Sequence, residues 1–193
     1  MERESYHHGD LKRALVEEGV ALLREEGPGA LSLRAIAKRV GVSHTAPRNH
    51  FGSLRGLLSA IAAEGFHRHA EAMRDGVGAA SDPEARLRAA VEGYARFADE
   101  NPDLYALMFD GERIDMTDPV LSDSSNASYA VLSEIAGRDD PCGPASREER
   151  LREGALWTFA HGYVALRRMG GLTKDGRTPG AWELFQTLRG FEA

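Results

Sequence analysis

Apolar residues recur at intervals of three and four along most of this chain, and this spacing constrains the fold more than any other feature of the sequence. Over residues 53–77 they form one continuous stripe, as expected for the buried face of a long helix. Strand signals are nearly absent, because no stretch sustains a strict apolar–polar alternation and no Asn-Gly or Asp-Gly pair joins two β-rich runs. The sequence therefore predicts an all-α fold. The stripe consists of Leu54, Leu57, Leu58, Ile61, Ala62, Phe66, Met73 and Val77.

Capping and breaking residues predict where the helices begin and end. Asp10 can cap a first helix that Gly27-Pro28-Gly29 ends, and Asp82 can cap a later helix with Pro83 at its first position. The stretch 137–146, rich in Gly and Pro, predicts a flexible loop. The predicted helices span about residues 10–26, 33–40, 43–50, 53–77, 83–100, 102–109, 120–136, 147–169 and 181–191.

The composition is that of a globular protein, since 42% of the 193 residues are hydrophobic and 28% are charged. The longest apolar stretch, residues 155–166, falls short of the ~20 residues that a membrane span needs and contains His161. Cys142 is the only cysteine, which excludes an internal disulfide framework. The N-terminus lacks a secretory signal pattern, so we expect a cytoplasmic protein with no membrane partner.

The charge distribution is uneven. The chain has 24 cationic and 30 acidic side chains, yet residues 27–63 contain no Asp or Glu. A cationic island in an otherwise acidic chain is typical of a module that binds a polyanion, although a solvated face could show the same pattern by chance. The cations of the island are Arg34, Lys38, Arg39, Arg48 and Arg55.

Residues 31–51 within this island have the pattern of a helix-turn-helix. Ile36, Ala37 and Val40 would form the buried side of the first helix, and Gly41 supplies a turn in which a positive φ costs little. Ser43 can cap the second helix, whose N-terminal residues would enter the major groove. A structural hairpin would show a similar apolar pattern, but the absence of acidic residues favours DNA binding.

Several motifs resemble those of the TetR family of transcriptional regulators. Residues 11–58 resemble its DNA-binding domain, and the family signature is matched by Leu33-Arg34-Ala35-Ile36-Ala37, Gly41-Val42-Ser43 and His50-Phe51. Trp157…His161-Gly162 resembles the Trp…His-Gly motif of one C-terminal subclass, and residues 6–11 resemble the start of that subclass. The resemblance implies a DNA-binding domain over residues 1–55 and an effector-binding and dimerisation domain over residues 56–193.

The resemblance also implies which residues meet DNA. The family's phosphate-contacting Lys falls on Leu54 here, so Arg48 and Arg55 are expected to supply equivalent phosphate contacts. The predicted DNA-binding residues are Ser32, Arg34, Ser43, His44, Thr45, Ala46, Arg48, Asn49, His50 and Arg55.

The C-terminal region holds every aromatic residue except Tyr6 and Phe51. These side chains could line an apolar effector pocket or simply form a helical core, and His161 could be a buried core histidine or a polar group of that pocket. The predicted pocket residues are Phe66, Tyr94, Phe97, Tyr105, Met108, Phe109, Trp157 and His161. Apolar faces of helices 147–169 and 181–191 predict a homodimer interface around Leu156, Val164, Leu166, Trp182, Leu184, Phe185 and Leu188.

We expect no metal site and no cofactor. His67 and His69 are two positions apart and so do not share a helix face, which favours solvated or phosphate-near histidines over metal ligands. The function predicted is a ligand-responsive repressor that binds palindromic double-stranded operator DNA as a homodimer and is released by an apolar or aromatic small molecule. An all-α enzyme is an alternative, although no phosphate loop or nucleophile elbow is present. The other alternative is a TetR-like activator that has no small-molecule effector.

Overall fold

A computed structural model describes residues 8–80, 82–138, 140 and 143–189, with side chains from Asp10 onward at the N-terminal end. The described residues contain nine α-helices and no β-strand, apart from an isolated bridge between Lys174 and Arg177, which confirms the all-α class. The helices are α1 His8–Glu26, α2 Leu33–Val40, α3 Ala46–Phe51, α4 Leu54–Arg74, α5 Pro83–Glu100, α6 Pro102–Met108, α7 Pro119–Ile135, α8 Arg147–Arg168 and α9 Ala181–Arg189.

Most predicted helix boundaries agree with the structure, because they depend on local capping. The backbone N–H of Ala85 donates to Asp82 Oδ1 at 2.9 Å, which confirms Asp82 as the cap of α5. The α8 helix begins after Ser146 with a reciprocal capping box that also involves Glu149.

The start of α1 and the end of α4 differ from the prediction. The α1 helix begins at His8, so Asp10 lies in its first turn, where a carboxylate favours the positive end of the helix dipole, and is not the cap. The α4 helix ends at Arg74 and not near Val77, because Gly76 has a φ of +83° and the chain turns there. Residues 6 and 7, Cys142 and the last predicted helical residue, Phe191, lie outside the described residues.

The chain divides into two compact units. The first, Met1–Phe66 with Asn101–Ser125, contains α1, α2, α3, α6, the first part of α4 and the start of α7. Its helices pack closely where a glycine leaves room: a Cβ on Gly19 would lie 2.4 Å from Cδ1 of Ile61. The core of this unit includes Leu15, Leu23, Ile36, Leu57, Ile61, Met108 and Ile114, all less than 2% exposed.

The second unit comprises His67–Glu100 and Asn126–Ala193, and it contains α5, α8, α9 and the rest of α4 and α7. The α4 and α5 helices approach each other so closely at Gly93 that a Cβ there would lie 2.1 Å from the carbonyl oxygen of Ala72. None of the helices in the described part of the chain combines the length and apolar composition needed to cross a membrane. The buried residues of this unit include Met73, Val91, Tyr94, Val131, Leu132, Leu156 and Val164.

Candidate nucleic-acid interface and ligand site

The first half of the helix-turn-helix is α2 with the turn that follows it. Ser32 caps α2 by accepting a hydrogen bond from the N–H of Ala35 at 3.1 Å. Gly41 adopts the left-handed conformation, with φ +76°, and its N–H donates to the carbonyls of Ala37 and Lys38. As predicted, Ile36 and Ala37 are buried, and they fix α2 against the rest of the unit.

The second half, α3, starts later than the sequence suggested. We predicted a start at Ser43, but α3 begins at Ala46 and Thr45 occupies the cap position without a capping side-chain hydrogen bond. A helix capped by Ser43 would require the backbone nitrogen of Pro47 to donate to the Ser43 carbonyl, and proline has no N–H. The N–H of Ala46 donates to that carbonyl instead, at 3.0 Å, and Pro47 takes a first-turn position where no donor is needed.

The junction between α3 and α4 is tight. Gly52, with φ +71°, ends α3. A Cβ on Gly56 would lie only 2.2 Å from the carbonyl oxygen of Phe51, so only glycine fits at this position of α4. The Lys12 ammonium lies 5.8 Å from the centre of the Phe51 ring. Contacts of this kind hold α3 at a fixed angle to α1 and α4.

The five cations of the acid-free island are not equivalent. Arg39 bonds to Glu18 and Glu25, each at 2.9 Å, and the hydrogen bond to Glu18 is the main cause that raises its pKa. By contrast, Arg34, Lys38 and Arg48 are exposed, and none of them pairs with a carboxylate within the part of the chain that the structure describes. These three side chains therefore give the helix-turn-helix its exposed positive charge.

Arg55 is also engaged within the protein. Its Nε and Nη2 donate to the carbonyl oxygen of Ile114 at 3.0 and 2.8 Å, and Nη2 lies 3.4 Å from the carbonyl oxygen of Gly111. A contact between Arg55 and a DNA phosphate therefore remains a prediction that competes with an intramolecular role.

The other predicted DNA-binding residues lie on or beside the helix-turn-helix. Ser32, Ala46 and His50 are half-buried. The Ser43 and Thr45 hydroxyls lie 3.0 Å apart in the turn before α3. The exposed members are Arg34, Ser43, His44, Thr45, Arg48, Asn49 and Arg55.

A polar and aromatic cluster lies inside the second unit and includes a residue that we had not assigned to it. His69 is 2% exposed, so the expectation that it is solvated is wrong, whereas the side chain of His67 is 63% exposed. Nδ1 of His69 lies 2.9 Å from the Ser128 hydroxyl. Burial, with a smaller contribution from His161, lowers the pKa of His69 to about 3, so its imidazole is neutral.

Four of the eight predicted pocket residues belong to this cluster or lie beside it. The Tyr94 hydroxyl lies 3.3 Å from Nδ1 of His161, and the Tyr94 and Phe97 rings lie 4.3 and 5.1 Å from the His69 ring. Trp157 lies 6.0 Å from His161 and is 41% exposed. These contacts form a cluster of apolar and hydrogen-bonding groups, of which Trp157 is the exposed member.

The other four predicted pocket residues lie in the first unit. Phe66, Tyr105 and Met108 are buried, and Phe109 is partly exposed. The Phe109 ring lies 5.4 Å from the Phe66 ring and 5.1 Å from the Tyr105 ring. These side chains form an aromatic contact set within the core of that unit.

A helical fold over the described residues, with an acid-free helix-turn-helix that carries exposed cations, is typical of a DNA-binding protein. Residues 15–61 match the sequence profile described as "Bacterial regulatory proteins, tetR family", and residues 87–188 match the profile described as "Tetracyclin repressor-like, C-terminal domain". The chain belongs to the TetR family. The members of this family are DNA-binding transcription factors and not enzymes, which removes the enzyme alternative. Membership of the narrower Trp…His-Gly subclass remains a prediction.

Individual relatives support the family and the fold. The HTH-type transcriptional regulator BetI of Yersinia pestis is 37% identical over 84 residues, which are 42% of this chain and 42% of that protein, so the match spans less than half of the relative's length. A solved protein of unknown function from Rhodococcus sp. RHA1 is 30% identical, with a TM-score of 0.75 over 98% of this chain and 97% of that one.

A second solved structure shares the fold alone. It is the TetR-like transcriptional regulator LfrR from Mycobacterium smegmatis in complex with proflavine. It is 19% identical, with a TM-score of 0.54 over 82% of this chain and 85% of that one.

Proposed function

We propose that this protein is a ligand-responsive transcriptional repressor that binds palindromic operator DNA as a homodimer and leaves it when an apolar or aromatic small molecule binds. The observation that carries the proposal is the exposure of three cations of the helix-turn-helix, Arg34, Lys38 and Arg48. Cations without carboxylate partners are available to displace counterions from DNA phosphates.

In this proposal, different positions of the helix-turn-helix contact the DNA phosphates and the base edges. Arg34 at the start of α2 and Arg48 on α3 are suited to phosphates, and the Ser32 hydroxyl can donate its proton to a phosphate while its oxygen caps α2. The N-terminal residues of α3 and the turn before it are short or polar, so they can approach base edges in the major groove. In this proposal base readout depends on His44, Thr45, Ala46 and Asn49.

A homodimer is supported by apolar side chains that α8 and α9 leave exposed. Leu166 and Leu188 are exposed, and Met169 is 81% exposed. A two-fold dimer would cover such side chains and would place two reading helices about 34 Å apart, one turn of DNA.

The proposed interface is narrower than the sequence suggested, because three of the predicted residues are already buried in their own unit: Leu156, Val164 and Trp182. The four that remain are Leu166, Leu184, Phe185 and Leu188, and to these we add Met169 because it is exposed.

An aromatic effector is supported by the cluster around Tyr94 and His161. Trp157 and Tyr129 are in edge contact at 6.1 Å and both are partly exposed, so a flat apolar molecule would find aromatic surface there. Tyr94 and His161 would offer hydrogen bonds to a polar group of the same molecule. Proflavine, the aromatic ligand of LfrR, is a suitable first probe.

The test is a titration of labelled DNA fragments with the whole chain, followed by addition of proflavine and other aromatic compounds. We expect one or more fragments with inverted half-sites to be preferred over random DNA, and we expect a bound effector to release them. A lack of preference for any fragment would contradict operator binding. Specific binding that no compound relieves, with activation of a promoter in a reporter assay, would favour the activator alternative.

A further inference from the structure

The peptide group between Ile114 and Asp115 is hydrogen-bonded at both its carbonyl oxygen and its N–H by side chains from the start of α4. The carbonyl oxygen of Ile114 accepts two hydrogen bonds from the Arg55 guanidinium, at 3.0 and 2.8 Å. The N–H of the same peptide group, that of Asp115, donates to the Ser59 hydroxyl at 2.8 Å. That hydroxyl in turn donates to the main-chain carbonyl of Arg55 at 2.9 Å. Arg55 and Ser59, one helical turn apart, thus hold a single peptide group.

The part of this contact that Ser59 and Ile114 make is buried. Ser59 and the Ile114 side chain are both 0% exposed, so the hydrogen bonds on the Ser59 side are shielded from water. The peptide belongs to residues 110–118, a segment between α6 and α7 in which the structure has no helix. Without Arg55 and Ser59, two backbone groups of this segment would lose their partners.

A second contact ties the same segment to the other side of the helix-turn-helix. Nη2 of Arg113 donates to the carbonyl oxygen of Pro28 at 3.2 Å. Pro28 lies in the short turn that leads into α2, and Arg55 lies three residues after Gly52, which ends α3. Segment 110–118 therefore touches the chain just before the helix-turn-helix begins and just after it ends.

We infer that Arg55 is a positioning residue for operator binding and that segment 110–118 is part of the DNA-binding machinery. The guanidinium uses its Nε and Nη2 edge on the Ile114 carbonyl, and that edge is not available to a phosphate while the contact is made. By fixing the segment to the start of α4, Arg55 and Ser59 fix the angle at which α3 is presented. This inference rests on the proposed binding of operator DNA.

The two roles of Arg55 predict different salt dependences. A phosphate contact contributes about 0.9 to the slope of log affinity against log salt, so its loss from both protomers would lower the slope by about 1.8 and weaken all DNA binding. A positioning role leaves the slope and the affinity for random DNA unchanged. It weakens operator binding alone, by about tenfold if one charge-assisted contact is lost.

The experiment compares Arg55→Ala and Ser59→Ala with the unmodified chain, and Arg48→Ala serves as the phosphate-contact control. We expect both Arg55→Ala and Ser59→Ala to weaken operator binding at an unchanged slope, because Ser59 carries no charge and shares only the structural contact. We expect Arg48→Ala to lower the slope. A lowered slope in Arg55→Ala, or operator affinity like that of the unmodified chain in both Arg55→Ala and Ser59→Ala, would overturn the inference.

A readout without DNA separates this inference from the proposed function. Hydrogen exchange at the Asp115 amide should accelerate in Ser59→Ala and in Arg55→Lys, a variant that keeps the charge but loses the fork of donors. If the unmodified chain prefers no DNA fragment, operator binding fails, and with it the role of Arg55 in presenting α3. Unchanged exchange in both variants would instead disprove the structural contact itself.

Discussion

Arg138 and Glu153 form an ion pair that is almost entirely withdrawn from water. Nη1 of Arg138 lies 3.0 Å from Oε1 of Glu153, and the two side chains are 10% and 3% exposed. The Tyr129 hydroxyl donates to the other carboxylate oxygen at 3.5 Å, and Arg138 also donates to the Gly143 carbonyl. The pair joins the chain after α7 to α8, and it explains how a glutamate is accommodated among the buried residues of α8.

Removal of one partner of this pair should be costly. Arg138→Met leaves the Glu153 carboxylate buried without its cation, and we expect a loss of roughly 3 kcal/mol or more in the free energy of unfolding. Urea denaturation measures it. Arg152→Met is the control, because its pair with Glu148 is exposed and should be worth less than about 1 kcal/mol. Equal stability of the two variants would show that the buried pair contributes nothing special.

The cations of the island should separate into two groups in DNA binding. Arg48→Ala should lower the salt slope, since this exposed side chain is proposed to contact phosphate. Arg39→Ala should leave the slope unchanged, because Glu18 and Glu25 already neutralise that guanidinium. Anisotropy titrations at several salt concentrations make the comparison, and a larger slope change in Arg39→Ala than in Arg48→Ala would refute the assignment.

The preference for particular DNA bases should depend on Thr45 and not on the cations of the island. Thr45→Ala removes an exposed hydroxyl at the start of α3 without a change of charge. We expect it to alter the preferred half-site while the salt slope stays the same. Selection from a randomised half-site library measures the preference, and an unaltered preference would mean that Thr45 does not read bases.

The proposed dimer should be sensitive to charge at the C-terminal end of α8, where Met169 follows the last helical residue. Met169→Glu places a carboxylate on the most exposed apolar side chain of the proposed interface, and we expect it to shift the protein to monomers at micromolar concentration. Sedimentation equilibrium follows the change. Val120→Glu is the control, since this exposed apolar residue of α7 lies outside the proposed interface. Dissociation in Val120→Glu but not in Met169→Glu would place the interface elsewhere.

Stability should fall in acid partly because of His69. Its pKa is lowered from 6.5 to about 3 in the folded protein, so between these values the unfolded chain binds more protons than the folded one. The contribution of His69 to stability is therefore greatest above pH 6.5 and decreases as the pH falls, by at most about 1.4 kcal/mol per pH unit. His69→Gln should flatten the decrease in urea unfolding, and His67→Gln, at an exposed position, should not.

Local chemistry explains which features could be predicted from the sequence. Ser32 and Gly41 bound α2 through contacts with residues three or four positions away, so both ends of that helix could be predicted. The start of α3 was missed because Ser43 is an attractive cap, whereas the decisive fact is that Pro47, four residues later, cannot donate to its carbonyl.

Contacts between distant parts of the chain could not be predicted. The partner of His69 is Ser128, 59 residues later, and spacing along α4 gives no indication of it. The acceptor of Arg55 is a main-chain carbonyl, which every residue has, so a cation next to a helix-turn-helix is naturally interpreted as a phosphate contact. The ion pair of Arg138 with Glu153 was missed because the two residues lie 15 positions apart and no local spacing links them.

The absence of a side chain at Gly56 has a practical consequence for redesign. Because any side chain at position 56 would collide with the Phe51 carbonyl, α3 cannot be re-aimed by a substitution at that position of α4. New operator specificity would be obtained most readily by exchanging the exposed side chains at positions 44, 45 and 49 on an unchanged backbone. A synthetic regulator built in this way would pair a foreign promoter with the original C-terminal domain.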